Sequence, residues 1–161
     1  MAGIRVEITA NSTIIDDTLQ HAFNTLANPE LMLKDIGEYL VISTKDNFDK
    51  EQTPDGDAWQ ALSPNYLKYK KPNPGKILQR KGGLYRQIFW QVSNNELAVG
   101  TDRIYGALMH FGAPRGQFGK SPKKNLELPF GDIPARNWLG VGKDDEEEIY
   151  LIIQDHLQAN N

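Results

Sequence analysis

Val99–Gly112, V-G-T-D-R-I-Y-G-A-L-M-H-F-G, and Ile133–Gly140, I-P-A-R-N-W-L-G, are the two stretches on which the fold of this chain turns. The first begins as the end of a strand, turns at Gly100-Thr101-Asp102, and enters an apolar helical segment that Gly112 stops. Glycine suits that position because a positive φ costs it almost nothing. In the second, Pro134 fixes an extended approach and Trp138-Leu139 form a bulky apolar pair before Gly140. Neither stretch sets a nucleophile beside a base or gathers metal ligands. Their pattern is one of shape and packing, and it predicts that Trp138 and Leu139 dock beside the central helix. Arg136 is expected to pair with a carboxylate or a helix C-terminal carbonyl.

Upstream, Ile4, Val6 and Ile8 alternate with polar residues, which predicts a short half-buried strand over residues 3–9. Ile15, Leu19, Ala22, Phe23 and Leu26 recur at helical spacing, and Asn28-Pro29 ends that helix and opens another near 29–50. The second helix buries Leu33, Ile36, Leu40 and Phe48, and the two make an antiparallel hairpin. Thr53–Asp57, T-P-D-G-D, is a turn by its proline and glycine. Ser63-Pro64 starts a short helix through Tyr66, Leu67 and Tyr69, followed by a breaker-rich loop. Leu84–Val92 reads as a strand, Asn94-Asn95 as a hairpin turn, and Glu96–Thr101 as its return. Ala113–Lys124 has no apolar periodicity and is expected to be a mobile loop or arm. Leu126, Leu128 and Phe130 alternate as a further strand. Lys143–Gln158 is a closing helix, with acidic residues in its first turns and Ile149, Ile152, Ile153 and Leu157 inward. The expected whole is one α+β domain spanning residues 1–161, a helical hairpin packed on an antiparallel sheet with a C-terminal helix.

Composition narrows the function classes. The chain has 161 residues, 39% hydrophobic and 24% charged, with no cysteine. Disulfides, thiolate zinc sites and a cysteine nucleophile are therefore excluded. No apolar run approaches the ~20 residues of a membrane span, and the N-terminus lacks the pattern of a signal peptide. The net charge of −3 hides a strong polarity: residues 1–57 balance at −7, 58–124 at +10 and 125–161 at −6. Such a chain either folds its basic middle against its acidic ends or presents opposite poles to a partner.

Local chemistry is sparse. Asp55 and Asp57 lack the spaced oxygen ligands and closing glutamate of a calcium loop. Gly119-Lys120-Ser121 has Pro114 where a phosphate-binding loop needs its first glycine, and Pro122 follows at once. His21 and His156 have no second ligand one turn on, and no motif sets a serine or threonine beside His110. From Ala58 to Asn95 there is no acidic residue, and Lys68, Lys70, Lys71, Lys76, Arg80 and Lys81 interleave with Tyr66, Tyr69 and Tyr85. Such a mixture is either a solvated face or a surface for an acidic partner or single-stranded nucleic acid.

The central motif, V-G-T-x-x-x-Y-x-x-x-x-x-F-G, followed some twenty residues on by P-A-R-x-x-L-G, resembles the phage virion morphogenesis family. Phe48, Pro54-Asp55-Gly56, Trp59, Leu62, Tyr66 and Lys70 supply a third block, and Ile77-Leu78 with Gly82-Gly83-Leu84 a fourth. The blocks cover roughly residues 30–142. The family pattern has alanine after the tyrosine, histidine four residues after it and Pro-Phe after P-A-R. This chain has Gly106, Met109 with His110 next, and Asn137-Trp138. The resemblance implies a structural protein, without catalytic residues, cofactor or metal, that completes the tail or joins it to the head. It would act in the host cytoplasm and in the virion, with neck or tail proteins as partners and self-association as a ring. Trp59, Tyr105, His110, Gly112, Arg136, Trp138 and Leu139 are its expected structural or interface residues. Lys68, Lys70, Lys71, Lys76, Arg80 and Lys81 are the candidate basic partner surface. The alternative is a DNA-contacting accessory protein using the basic 58–95 segment.

Overall fold

The computed structural model describes residues 29–129 and 131–159. The strand expected over residues 3–9, the helix from Ile15 to Leu26 and His21 lie outside the described residues, so one arm of the predicted helical hairpin does too. What is described is α+β: helices, a two-stranded antiparallel sheet and a C-terminal helix.

Helix α1, Glu30–Lys50, begins behind Pro29, as expected from proline's tolerance in a first turn. Met32, Leu33, Ile36, Leu40 and Phe48 lie on its buried face. The helix ends on Glu51, whose backbone is left-handed at φ 58°. Its side chain is held there by the Ile77 N–H, which donates to Glu51 Oε1 at 2.8 Å. The T-P-D-G-D turn closes next, with Thr53 N–H on Asp57 O at 2.8 Å and Asp57 N–H on Thr53 Oγ1 at 3.1 Å.

Helix α2, Pro64–Tyr69, has Ser63 as its cap, the hydroxyl accepting from Tyr66 N–H at 3.2 Å. None of its residues is buried. The strand expected from Leu84 starts later. Gly82 takes φ 69°, and Gly83–Arg86 form a helical turn, α3, that drives Leu84 into the core. Strands β1, Ile88–Ser93, and β2, Glu96–Thr101, then pair with Trp90 opposite Val99 and Ser93 opposite Glu96. Asn94 and Asn95 supply the two positive dihedrals of the tight turn, at φ 51° and 61°. Ile88, Trp90 and Val92 share one face with Thr101, Val99 and Leu97, and this face lies on α1. Gly37 makes the contact close: a Cβ there would lie 2.7 Å from Trp90 Cγ.

Helix α4, Gly106–Phe111, follows β2, and α5, Lys143–Ala159, packs back along α1 through Ile149 and Ile153. The acidic start of α5 is not uniformly a solvated face. Asp145 is buried, and its Oδ1 accepts from Tyr39 Oη at 2.9 Å and Ser43 Oγ at 2.5 Å. Its Oδ2 accepts from Gly142 N–H at 2.8 Å, so one carboxylate clasps α1 and the start of α5 together. Burial, followed by Asp145, pushes the Tyr39 phenol well above its ordinary range.

Leu126 and Leu128 do not build the expected further strand. Residues 113–133 instead form a hairpin-like arm, with Ala113 and Ile133 exchanging backbone hydrogen bonds at its base, at 2.9 and 2.8 Å. Further out, Phe118 N–H donates to Leu128 O and Leu128 N–H to Gly119 O, and a single bridge pairs Lys120 with Glu127. The alternating apolar residues have no sheet to join: Leu126 remains 49% exposed.

Candidate functional site: an aromatic hub and its charged surroundings

Four sequence blocks far apart in the chain converge on one cluster. Phe48, at the end of α1, is fully buried and sits between two indoles. Trp59 meets it edge-on with ring centroids 5.2 Å apart, and Trp138 lies tilted against it at 5.8 Å. Tyr85 adds a second edge contact at 6.0 Å. Neither indole N–H is stranded: Trp59 Nε1 donates to Asn137 O at 3.1 Å and Trp138 Nε1 to Gly106 O at 3.0 Å. Aromatic groups with a polar edge are tolerated in a core on that condition. Trp138 is 0% exposed and lies against α4 through Gly106 and His110, and Leu139 is buried in the same core.

The small residues of the two central stretches are the places where the elements touch. Gly106 lets α4 press on β2, since a Cβ there would lie 2.5 Å from Thr101 Cγ2. Gly112 takes φ 73° and ψ −178°, and a Cβ there would lie 2.5 Å from Ile133 O and 2.7 Å from Ala135 N. Gly142 packs on the Pro54 carbonyl, which brings the T-P-D-G-D turn against the start of α5. Tyr105 is exposed, with its hydroxyl lying over Gly83.

Arg136 differs from expectation in its partners. It is buried, and its guanidinium donates to the backbone carbonyls of Gln60 at 3.0 Å and Ala61 at 3.4 Å, not to a carboxylate or a helix end. Burial lowers its pKa, and the carbonyls hold the charge. The α4 terminus is met by the Arg136 backbone N–H, which donates to Met109 O at 3.1 Å.

Lys70 is also corrected. It is 2% exposed, and its ammonium donates to the carbonyls of Asn73 and Lys76, stitching the breaker-rich loop from inside. Desolvation lowers its pKa, with Glu51 acting in the opposite sense. It therefore drops out of the candidate basic surface, while Lys68, Lys71, Lys76, Arg80 and Lys81 are exposed. Part of the charge polarity is met within the chain, where Arg115 of the basic middle pairs with Glu127 of the acidic end at 2.7 Å. Lys76 Nζ donates to the Asp49 backbone carbonyl and Tyr85 Oη to Asp49 Oδ2.

His110 stands edge-on to Trp138 at 6.0 Å and to Phe111 at 4.7 Å. Its Nδ1 is buried and has no hydrogen-bond partner among the described residues. Desolvation lowers its pKa from the ordinary 6.5. The unfolded chain then takes up the proton more readily than the folded one. Any stability due to the neutral ring is present above pH 6.5 and is lost as pH falls through the depressed value. Denaturation midpoints of wild type and His110→Leu, measured on both sides of pH 6.5, are expected to diverge on acidification, with wild type falling further. Parallel profiles would show that the ring titrates as it does in solvent.

Among the described residues, no group of three or more histidine, cysteine or carboxylate side chains is placed to hold a metal ion. No described helix is long and apolar enough to cross a membrane. The site is thus an α+β packing hub in which shared motifs meet as structure. The chain belongs to the phage virion morphogenesis family, which it matches over residues 10–158. It is 31% identical over 124 residues to protein G of Escherichia phage Mu, which carries the name of a proposed capsid assembly protein, covering 74% of each chain. It is 32% identical over 114 residues to FluMu G protein 1 of a Mu-like prophage of Haemophilus influenzae, covering 68% of this chain and 66% of that one. FluMu G protein 2 of the same organism is 28% identical over 155 residues, 96% of each chain. No solved structure matches.

Sequence reading found Trp59, Gly112, Trp138 and Leu139 by type and spacing. It missed Asp145, because a buried carboxylate inside an acidic run carries no local mark. It also missed the indole-to-carbonyl bonds, whose partners lie tens of residues away.

Proposed function

We propose that this chain is a structural, non-catalytic protein of virion assembly that completes the tail or joins it to the head. It acts in the host cytoplasm and remains in the virion, contacts other neck or tail proteins, and associates with itself as a ring. The observation that carries this reading is the family match over residues 10–158. The hub supports it, since the motif residues Phe48, Trp59, Trp138 and Leu139 are spent on packing. Removing the gene from a phage that carries it, and viewing the particles by electron microscopy, tests the placement. Filled heads and separate or abnormal tails are expected, restored by the gene in trans. Missing or malformed heads would place the chain in capsid assembly, and normal infectious particles would end the proposal.

The alternative is DNA contact, favoured by the exposed Lys68, Lys71, Arg80 and Lys81 around a Tyr69 that is 79% exposed. Salt-dependent retention on DNA, lost when these lysines become glutamates, would support it.

A further inference from the structure

The described residues of the arm, 113–129 and 131–133, exchange their own hydrogen bonds, yet between Pro114 and Pro129 no side chain is buried. Its two acids are already used, Glu127 pairing with the Arg115 guanidinium at 2.7 Å and Asp132 accepting from the Arg115 backbone N–H at 2.7 Å. Its tip therefore presents Lys120, Lys123 and Lys124, all exposed and without an ion pair among the described residues. Phe118 and Leu126 flank them, 56% and 49% exposed. Cations around an apolar pair are poor solvent-facing chemistry and good docking chemistry.

The complementary pattern lies on α5. At 100° per residue, Asp144, Glu147, Glu148, Leu151 and Asp155 fall on one stripe, opposite the buried Asp145, Ile149 and Ile153. All five are exposed, Leu151 by 50%, and none of the four carboxylates holds a salt bridge among the described residues. Among the described residues, no hydrogen bond or ion pair joins the arm lysines to α5.

We infer that the arm of one copy docks on the outward face of α5 of a second copy, its lysines against the four carboxylates and Phe118 or Leu126 against Leu151. The apolar component favours a protein surface over phosphates, which have no use for an exposed leucine. Because the two surfaces differ, the contact is head-to-tail, and the joined pair keeps a free arm at one end and a free α5 face at the other. The inference deepens the reading of the chain as a self-associating assembly component, and it rests on that reading.

The chain has no cysteine, so introduced ones report contact without background. Lys123→Cys and Leu151→Cys chains are mixed and oxidised. A mixed disulfide dimer is expected well above that from Lys123→Cys with Asn65→Cys, an exposed position on α2 that belongs to neither surface. Adding Glu147→Lys and Glu148→Lys to the Leu151→Cys chain should lower the yield about tenfold, and adding Lys120→Glu and Lys124→Glu to the arm chain should restore it. A yield equal to the Asn65 control, or one indifferent to the charge reversals, would overturn the contact. So would ring closure within single chains that carry both cysteines, which would make the arm's occupant its own α5. Loss of the cross-link while the gene still restores joined particles would remove this inference alone. Unjoined particles from the arm-reversed gene, restored by the paired reversal on α5, would tie the contact to assembly.

Discussion

Trp138→Ala is expected to lower the unfolding free energy by about 3–5 kcal/mol, the range for emptying a buried aromatic site. The indole fills the space between Phe48, His110 and α4, and its removal also strips the Gly106 carbonyl of its donor. Trp138→Phe separates the two contributions, since it keeps most of the ring volume but cannot donate. It should cost the packing mismatch plus about 1–3 kcal/mol for the unpaired carbonyl. Urea unfolding followed by far-UV circular dichroism reads both. A Trp138→Ala midpoint equal to wild type would show that the hub is not the centre of the core.

Gly112→Ala should be nearly as damaging although it adds a single methyl group. With φ 73° and ψ −178°, Gly112 occupies a region that L residues essentially avoid, at a cost of about 1–3 kcal/mol from the backbone alone. The added Cβ would also press on Ile133 O and Ala135 N, which are backbone atoms with little freedom to move aside. The total is expected at about 3 kcal/mol or more, against a few tenths for an unstrained surface substitution. Hydrogen exchange should report where the damage falls, with protection lost first at Ala113 and Ile133, the pair that closes the arm. Unchanged protection there would mean that the arm base tolerates a side chain at residue 112.

These outcomes bear on how much of the molecule was legible in its sequence. Helix α1, the Asn94-Asn95 turn, the Ser63 cap, Gly112 and the inward face of α5 were readable, because each depends on periodicity or on the dihedral preferences of one or two residues. Lys70 was not, because a lysine in a basic run looks solvated until two loop carbonyls and the space beneath them are in place. The turn at Gly83–Arg86 was missed because Leu84 to Val92 has strand composition, and only the left-handed Gly82 redirects it. Arg136 was placed correctly between Pro134 and Trp138, but its acceptors come from residues 60 and 61, which no local pattern links to it. The packing centre was therefore visible from residue types, while its polar wiring was a property of the assembled chain.

The aromatic hub has a consequence for the chain as it leaves the ribosome. Phe48 and Trp138 stand about 90 positions apart, so at roughly 5–20 residues per second Phe48 waits on the order of 5–20 s for its partner to be made. Throughout that interval α1 carries an uncovered apolar face, and the clasp that Asp145 forms with Tyr39 and Ser43 does not yet exist. Closing so long a loop must precede most of the reward from burial, which makes folding late and cooperative. A message cut short before the Pro134–Leu139 codons yields a product with no finished core, a natural substrate for proteases. Only full-length chains then survive to act in virion assembly.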